Sequence, residues 1–223
     1  MSIQPSLSLT EISANGSAAK TILSELFSNL RDVKTEVDIL QVGVSIVRQA
    51  LRCDRAVVYS LQAESHCEIV AEAVTPGYTQ ILGRTIKDPC FEAGYIEKYS
   101  KGRVRAISDI HQSGINPCYI ENLEKIEVKS NLVVPIVRQD NSLYGLLVMH
   151  QCSRSREWQQ SEVEFILYVS SWLIEEVAKH EYYSALESQL ENAKQARQLI
   201  TAVTQQIHRA VNSQEALQFG VSQ

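Results

Sequence analysis

Long apolar runs are missing from this 223-residue chain. No stretch approaches the roughly 18 residues that cross a bilayer, and the N-terminus lacks the charged-then-apolar layout of a signal peptide, so no membrane span is expected. Basic blocks are missing too. With 21 Lys and Arg against 26 Asp and Glu, a net charge of −5, and no sustained cationic segment, nucleic acid is not expected as a partner. No glycine-rich phosphate loop, metal-ligand spacing or nucleophile elbow occurs, so the chain is not expected to be an enzyme. Cysteine is sparse and odd in number: the five, Cys53, Cys67, Cys90, Cys118 and Cys152, include no Cys-Xaa-Xaa-Cys pair. That excludes a disulfide framework and points to reduced thiols in a cytoplasmic protein.

What is present suffices for one substantial core, since 44% of residues are hydrophobic. Residues 1–19 are Ser/Thr-rich and predict a loose leader. Ile22, Leu23, Leu26, Phe27 and Leu30 then recur at helical spacing, and Leu40, Val44, Ile46, Val47 and Leu51 continue it after a polar break. Residues 55–61 and 68–74, β-branched and closed by Thr75-Pro76-Gly77, predict adjacent antiparallel strands. Residues 104–107 predict a short strand. Residues 132–137 and 143–149 predict a hairpin whose apolar strands are covered on both faces, with Pro135 placed where no ladder N–H is needed. From Gln160 the apolar residues follow helical spacing through Val177 and onward through Leu186, Leu190, Ala193 and Ile200, a stripe expected to pair with a second copy of the chain. Leu40-Gln41-Val42-Gly43-Val44-Ser45 returns as Leu217-Gln218-Phe219-Gly220-Val221-Ser222, which suggests the start of a second repeat. The expected division is 1–35 leader and helix, 36–180 domain, and 181–223 helical linker.

Two cysteines stand in matching settings, Asp88-Pro89-Cys90-Phe91 and Asn116-Pro117-Cys118-Tyr119. Asp and Asn are favoured helix N-caps and Pro is favoured at the first helical position, so each thiol is expected at a helix start. The positive end of the helix dipole there favours the thiolate, the nucleophilic form. Two such cysteines suggest a site that attacks one electrophilic ligand twice. Taken without further context, both settings fit ordinary packing as well.

The run Cys53-Asp54-Arg55-Ala56-Val57-Val58-Tyr59, with Asp88 to Phe91, Gly102-Arg103-Val104-Arg105-Ala106-Ile107, Asn131-Leu132-Val133-Val134-Pro135-Ile136 and Tyr144-Gly145-Leu146-Leu147-Val148-Met149-His150, resembles a GAF domain of the cyanobacteriochrome family. Asp-Pro-Cys-Phe resembles the mark of the two-cysteine subgroup. The resemblance covers about residues 36–180. It implies an α+β fold, with an antiparallel five- or six-stranded sheet flanked by helices and a long C-terminal helical stalk. It also implies a photoreceptor input module holding a linear tetrapyrrole, phycocyanobilin or its isomer phycoviolobilin. By that likeness Cys118 forms a thioether with ring A, and Cys90 adds reversibly to the central methine bridge and shifts absorption to blue or violet. Asp88 accepts hydrogen bonds from the pyrrole nitrogens, and Phe91 belongs to the same motif. Light is expected to act on the double bond between the last two rings, and the signal to leave through the terminal helices to a downstream signalling domain in a homodimer.

Other contacts are candidates on weaker grounds. Arg103 and Arg105 alternate on the short strand and would face the bilin propionates, His150 ends a hairpin strand, and Tyr95 follows Phe91 by one helical turn. Tyr119 stands where many family members carry His, and Gly94 where many carry Arg, so the propionates would be held differently here. Cys53, Cys67 and Cys152 read as small buried hydrophobes. Two alternatives stay open. One is a bilin-free GAF module for a cyclic nucleotide or for dimerisation, which predicts a colourless protein. The other is a thiol redox protein using Cys90 and Cys118, which needs their sulfurs within disulfide reach.

Overall fold

The structure is a computed structural model that describes residues 35–62, 66–86, 94 and 96–220. The expected helix around Ile22 to Leu30 lies outside the described residues, as do Asp88, Cys90, Phe91 and Tyr95.

Helix α1 (Glu36–Leu51) starts where Thr35 and Asp38 cap one another: the Thr35 hydroxyl accepts from the Asp38 N–H, and Asp38 accepts from the Thr35 N–H, each at 3.1 Å. This reciprocal capping satisfies two otherwise orphaned donors and fixes where the helix begins. Its buried residues, Ile39, Leu40, Gly43, Val44, Val47 and Leu51, form one stripe at helical spacing.

The sheet comprises β1 (Arg55–Gln62), β2 (His66–Val74), β3 (Thr85–Ile86), β4 (Arg105–Ile107), β5 (Ser130–Val137) and β6 (Leu143–Gln151). Their spatial order is β3-β2-β1-β6-β5-β4, antiparallel throughout. Short helices α2 (Ile96–Ser100) and α3 (Pro117–Glu124) precede β4 and β5, and α4 (Gln160–Gly220) follows β6. The two expected strand pairs are present with ends shifted by up to two residues, and β3 is an addition that the sequence did not announce.

Alternation along the strands sorts residues onto two faces. One face carries Ala56, Val58, Leu132, Val134, Leu147 and Met149 and packs against the α1 stripe and against Phe165, Ile166, Val169, Leu173 and Val177 of α4. The opposite face carries Val57, Ile69, Val133, Leu146 and Val148 and packs beneath Tyr99 of α2, Leu123 of α3 and the loop residues Ile110, Ile115, Ile126 and Val128. Both faces are covered, which is why β5 and β6 are apolar at nearly every position. Each buried Val or Leu contributes about 1.5–3 kcal/mol of transfer free energy.

Two close approaches demand glycine. A Cβ on Gly145 of β6 would lie 2.2 Å from the Tyr59 carbonyl oxygen of β1, and one on Gly43 of α1 would lie 2.6 Å from Leu173 Cδ2 of α4. Pro135 is accommodated as expected. It pairs with Leu146 on β6, while β4 reaches only from Asn131 to Val133 along the other edge of β5. The Pro135 carbonyl turns away from the ladder to accept from the Ser170 hydroxyl of α4, so the missing N–H breaks no bond.

The segment joining β6 to α4 is tied to the sheet edge. The Arg156 N–H donates to the Ser108 carbonyl at 3.0 Å, and the Arg156 carbonyl accepts from the Ser130 hydroxyl at 3.0 Å. The Arg156 guanidinium donates to the Leu51 carbonyl, pairs with Glu162 and stacks 4.6 Å from the Trp158 ring centre. Trp158 Nε1 donates to the Ile107 carbonyl at 3.4 Å, so β4 and the start of α4 share this junction.

The chain divides into two compact units, Met1–Ala178 and Lys179–Gln223. In the second, the helix presents Tyr182, Leu186, Leu190, Ile200, Val203 and Ile207 to solvent. No helix among the described residues is long and apolar enough to cross a membrane.

Candidate functional site

Helix α3 begins as the sequence predicts. Asn116 is its N-cap, Pro117 opens it, and the Asn116 side chain accepts from the Cys118 N–H at 2.9 Å. Cys118 is thus the second helical residue, and its side chain is exposed. The rest of α3 is anchored inward, with Leu123 buried and Tyr119 and Ile120 half-buried against the sheet. The Tyr119 hydroxyl accepts from Asn131 Nδ2 of β5 at 3.1 Å. Tyr119 therefore fastens the cysteine-bearing helix to the sheet.

Beneath that helix runs a row of polar residues of which sequence reasoning singled out only His150. Arg55 of β1 lies opposite His150 of β6, which lies opposite Asn131 of β5. By alternation all three share the face of Val57, Val148 and Val133. Arg55 and His150 are fully buried and Asn131 is 1% exposed. The available signal was a charged or polar side chain at an inward position of a strand that is otherwise apolar.

Arg55 gathers the surrounding loops. Its Nη2 donates to the Thr79 carbonyl at 2.6 Å and its Nη1 to the Ile126 carbonyl at 3.0 Å. Nη1 also lies 3.4 Å from His150 Nδ1 and 3.7 Å from Cys152 Sγ. Its Nε faces Glu72 Oε1 at 3.1 Å, a charge contact off the hydrogen-bond line. The other Glu72 oxygen accepts from the Ile81 and Leu82 N–H groups, at 2.9 and 2.8 Å. A buried pair of this kind stabilises only while both partners stay, because either alone is an uncompensated charge.

His150 is neutral. Burial, and after it the Arg55 charge, pull its pKa down to about 3. Among the described residues its Nε2 has no hydrogen-bond partner, nor has Asn131 Oδ1. Buried polar atoms are nearly always satisfied, so two orphans side by side on one face mark a place where a ligand can complete the bonding.

Of the two candidate propionate cations, Arg105 opens β4 opposite Val133 and so lies on the same face, half-buried. Its guanidinium makes no ion pair or hydrogen bond among the described residues. Arg103 corrects the expectation: β4 begins only at Arg105, so strand alternation does not place the two arginines together. The Arg103 guanidinium lies 5.9 Å from the Tyr99 ring centre instead. Cys53, Cys67 and Cys152 are buried, as expected. Burial pushes the Cys53 thiol up to about 12 and Cys152 up to about 11, which leaves both inert. Among the described residues no His, Cys, Asp and Glu side chains gather in the number a metal ion needs.

The family model described as GAF domain matches residues 36–176. The chain belongs to the GAF domain family. Among solved structures, the blue-light-absorbing form of the Thermosynechococcus elongatus PixJ GAF domain is 33% identical, with a TM-score of 0.66 over 74% of this chain and 96% of that one. A red/green cyanobacteriochrome in its red-light-absorbing state is 32% identical, with a TM-score of 0.62 over 67% of this chain and 98% of that one. The structural neighbours of the GAF domain are thus cyanobacteriochrome GAF domains. A far-red-absorbing domain with bound biliverdin, at 24% identity, shows the fold alone. A Synechocystis sp. protein bearing the provisional name methyl-accepting chemotaxis protein is 41% identical over 143 residues, 64% of this chain but 14% of that protein. The circadian input-output histidine kinase CikA of Thermosynechococcus vestitus is 29% identical over 209 residues, 89% of this chain and 28% of the kinase. The chain therefore spans only a fraction of these longer relatives.

Proposed function

We propose that this chain is the light-sensing input module of a signalling protein and binds a linear tetrapyrrole covalently through Cys118. One observation carries the reading: the exposed thiol of Cys118 stands at the start of a helix whose next residue, Tyr119, is fastened to a buried row in which His150 Nε2 and Asn131 Oδ1 have no hydrogen-bond partner among the described residues. The residues present fit such a pigment. Cys118 offers an accessible nucleophile, Arg105 an unspent cation for a propionate, and the orphaned pair hydrogen bonds for a polar ring edge. Phe91, Tyr95, Arg103 and Tyr119 complete the proposed lining.

When bound, the pigment supplies a conjugated system that absorbs visible light and isomerises. The protein holds it, excludes water and reports its change. Cys118 anchors it through a thioether, an addition in which the thiol proton and sulfur both enter the product. Cys90 is proposed as the second, reversible nucleophile that gives a blue- or violet-absorbing state, with Asp88 accepting from the pyrrole nitrogens. The bilin would be phycocyanobilin or phycoviolobilin. The junction of Ile107, Arg156 and Trp158 links β4, which bears Arg105, to the start of α4, and is the proposed exit for the signal. The exposed apolar residues from Tyr182 to Ile207 would pair with a second copy, and an output domain would follow in the full-length protein.

Coexpression with a phycocyanobilin pathway tests this. Wild type is expected to be coloured and to switch reversibly, Cys118→Ala to lose attachment, and Cys90→Ala to lose the blue-shifted state. A colourless wild type would leave the bilin-free GAF module. Truncation after Tyr183 is expected to keep the colour change and abolish dimers, as read by light scattering.

A further inference from the structure

The return of α1's sequence near the end of α4 acquires a physical meaning once α1 is seen in place. From Leu40 to Val44 every residue but one has a role. Leu40 and Val44 are buried, and Gly43 lets Leu173 of α4 approach where a Cβ would clash. Gln41 does something rarer. Strand β3 pairs with β2 only at Cys67 and Glu68, which leaves the β2 edge open at Glu72. There the Gln41 side chain stands in for a strand: Nε2 donates to the Glu72 carbonyl at 2.8 Å, and Oε1 accepts from the Glu72 N–H at 3.3 Å. A primary amide carries donor and acceptor together, so one glutamine satisfies both backbone groups of an edge residue. The exception is Val42, half-buried and outside the stripe.

Residues 217–221 keep Leu, Gln, Gly and Val at the positions that carry these contacts and change only the exception, to Phe219. A helix that merely pairs with a second copy has no use for that set, since glycine weakens a helix and a glutamine clamp needs an open strand edge. The likeness runs further at one constant offset. Asn212 and Glu215 stand where Thr35 and Asp38 cap α1, and both are residue types that make such a cap. Ala196-Arg197, Leu199-Ile200, Val203 and Ile207 stand where Ala19-Lys20, Ile22-Leu23, Leu26 and Leu30 precede α1 in the sequence. Ala216 replaces the buried Ile39, the one loss of volume at a buried position of α1.

We propose that residues 212–222 are the first helix of a second GAF domain in the full-length protein. Their docking partner is that domain's sheet, with Gln218 closing the open edge of its second strand and Gly220 admitting its own C-terminal helix. Helix α4 runs unbroken from Gln160 to Gly220. One helix therefore leaves the core of this domain and enters the core of the next. The second domain, not a free stalk, is then the first receiver of any movement at Arg156 and Trp158.

A graft tests whether the segment can act as α1. In the 223-residue chain, residues 35–45 are replaced by the sequence of residues 212–222, with Ala216→Ile inside the graft to refill the Ile39 position. Calorimetry is expected to show a cooperative transition within about 10 °C of wild type, the effect of a few small surface changes. Within the graft, Gln218→Leu should lower that transition and Gly220→Leu should abolish it. A graft of residues 188–198, which lack the Gln-Xaa-Gly set, should show none. A 212–222 graft that melts no better than the 188–198 graft would overturn the proposal.

Hydrogen exchange tests the partner. The amides of residues 216–222 are compared between the 223-residue chain and the full-length protein expressed from its gene. Exchange is expected to be on the order of a hundredfold slower in the full-length protein, as for a helix held in a core. Equal exchange in the two, or a gene that encodes no further GAF domain, would overturn the proposal. Protection in the short chain that grows with protein concentration would assign the segment to a second copy and overturn it as well. Neither measurement uses the pigment, so a colourless protein would count against the proposed function and leave both readouts unchanged.

Discussion

The two faces of the sheet solve opposite problems with the same strands. Against α1 and α4 the interface is apolar and closed, so close that Gly43 leaves no room for a methyl group beside Leu173. Its buried polar side chains are spent: Ser170 on the Pro135 carbonyl, Ser130 on the Ile107 and Arg156 carbonyls, Gln151 on Asp54 and Glu162 on the Gln159 N–H. Beneath α2 and α3 the same strands bury Arg55, Glu72, His150 and Asn131, and among the described residues four of their polar atoms lack a hydrogen bond; Arg55 Nε and Glu72 Oε1 face one another as an ion pair, while His150 Nε2 and Asn131 Oδ1 have no partner. A face built only for stability would not carry these groups, since each unsatisfied atom costs about 1–3 kcal/mol. The contrast teaches that one side of the sheet holds the domain together and the other is held ready for something else.

The largest effect that breaks the contrast should come from Arg55→Met alone. It strands Glu72 as a buried, uncompensated carboxylate, which costs about 3–5 kcal/mol. At roughly 2–4 °C per kcal/mol the melting temperature should fall by about 6–20 °C, checked by calorimetry. Adding Glu72→Gln should return part of that loss, and a double variant less stable than the single one would show that the charge pair is not the cause.

On the closed face, Leu173→Ala is the matching cut. Leu173 is fully buried, so its truncation should cost about 2–5 kcal/mol, set by how far the gap can collapse. Its urea midpoint should drop while bilin loading of the folded fraction stays at the wild-type level. Altered colour in Leu173→Ala would mean that the two faces are not separable.

Much of this contrast could be read in the sequence, but not its most telling part. The hairpin of β5 and β6 and the helix start at Asn116-Pro117-Cys118 depend on local rules, apolar run length and cap chemistry, and both were legible. The row of Arg55, His150 and Asn131 depends on the register of β1 against the β5–β6 hairpin, segments far apart in the chain, which no local pattern encodes. His150 was singled out as a strand end, yet its partners were not. The alternation of Arg103 with Arg105 was misjudged for a related reason, since β4 pairs with β5 only from Arg105 onward.

Titration sharpens the same comparison. His150 has its pKa lowered in the folded chain to about 3 from 6.5, so between those values the unfolded chain binds a proton that the folded one refuses. Stability is therefore unaffected by this group above pH 6.5 and falls as the pH drops below it, by about 1.4 kcal/mol per unit. Urea denaturation from pH 7 to pH 4 should show that slope, and His150→Gln should lack this share of it. Equal slopes would mean that His150 is protonated in the folded chain, which would remove the neutral imidazole from the site.

The smallest effect belongs to Thr35→Ala, at the start of α1. The hydroxyl satisfies the Asp38 N–H, and losing such a cap costs about 1 kcal/mol. The melting temperature should fall by roughly 2–4 °C. Because α1 lies wholly on the closed face, attachment rate and absorption should not move. Thr35→Ser, which keeps the accepting oxygen, should restore most of the loss. The small size of the expected change is what makes it useful: it destabilises the domain mildly without touching the polar row. If Thr35→Ala slowed attachment as much as His150→Leu, any slowing in variants of the polar row would have to be read as general loosening, and the distinction between the two faces would fail.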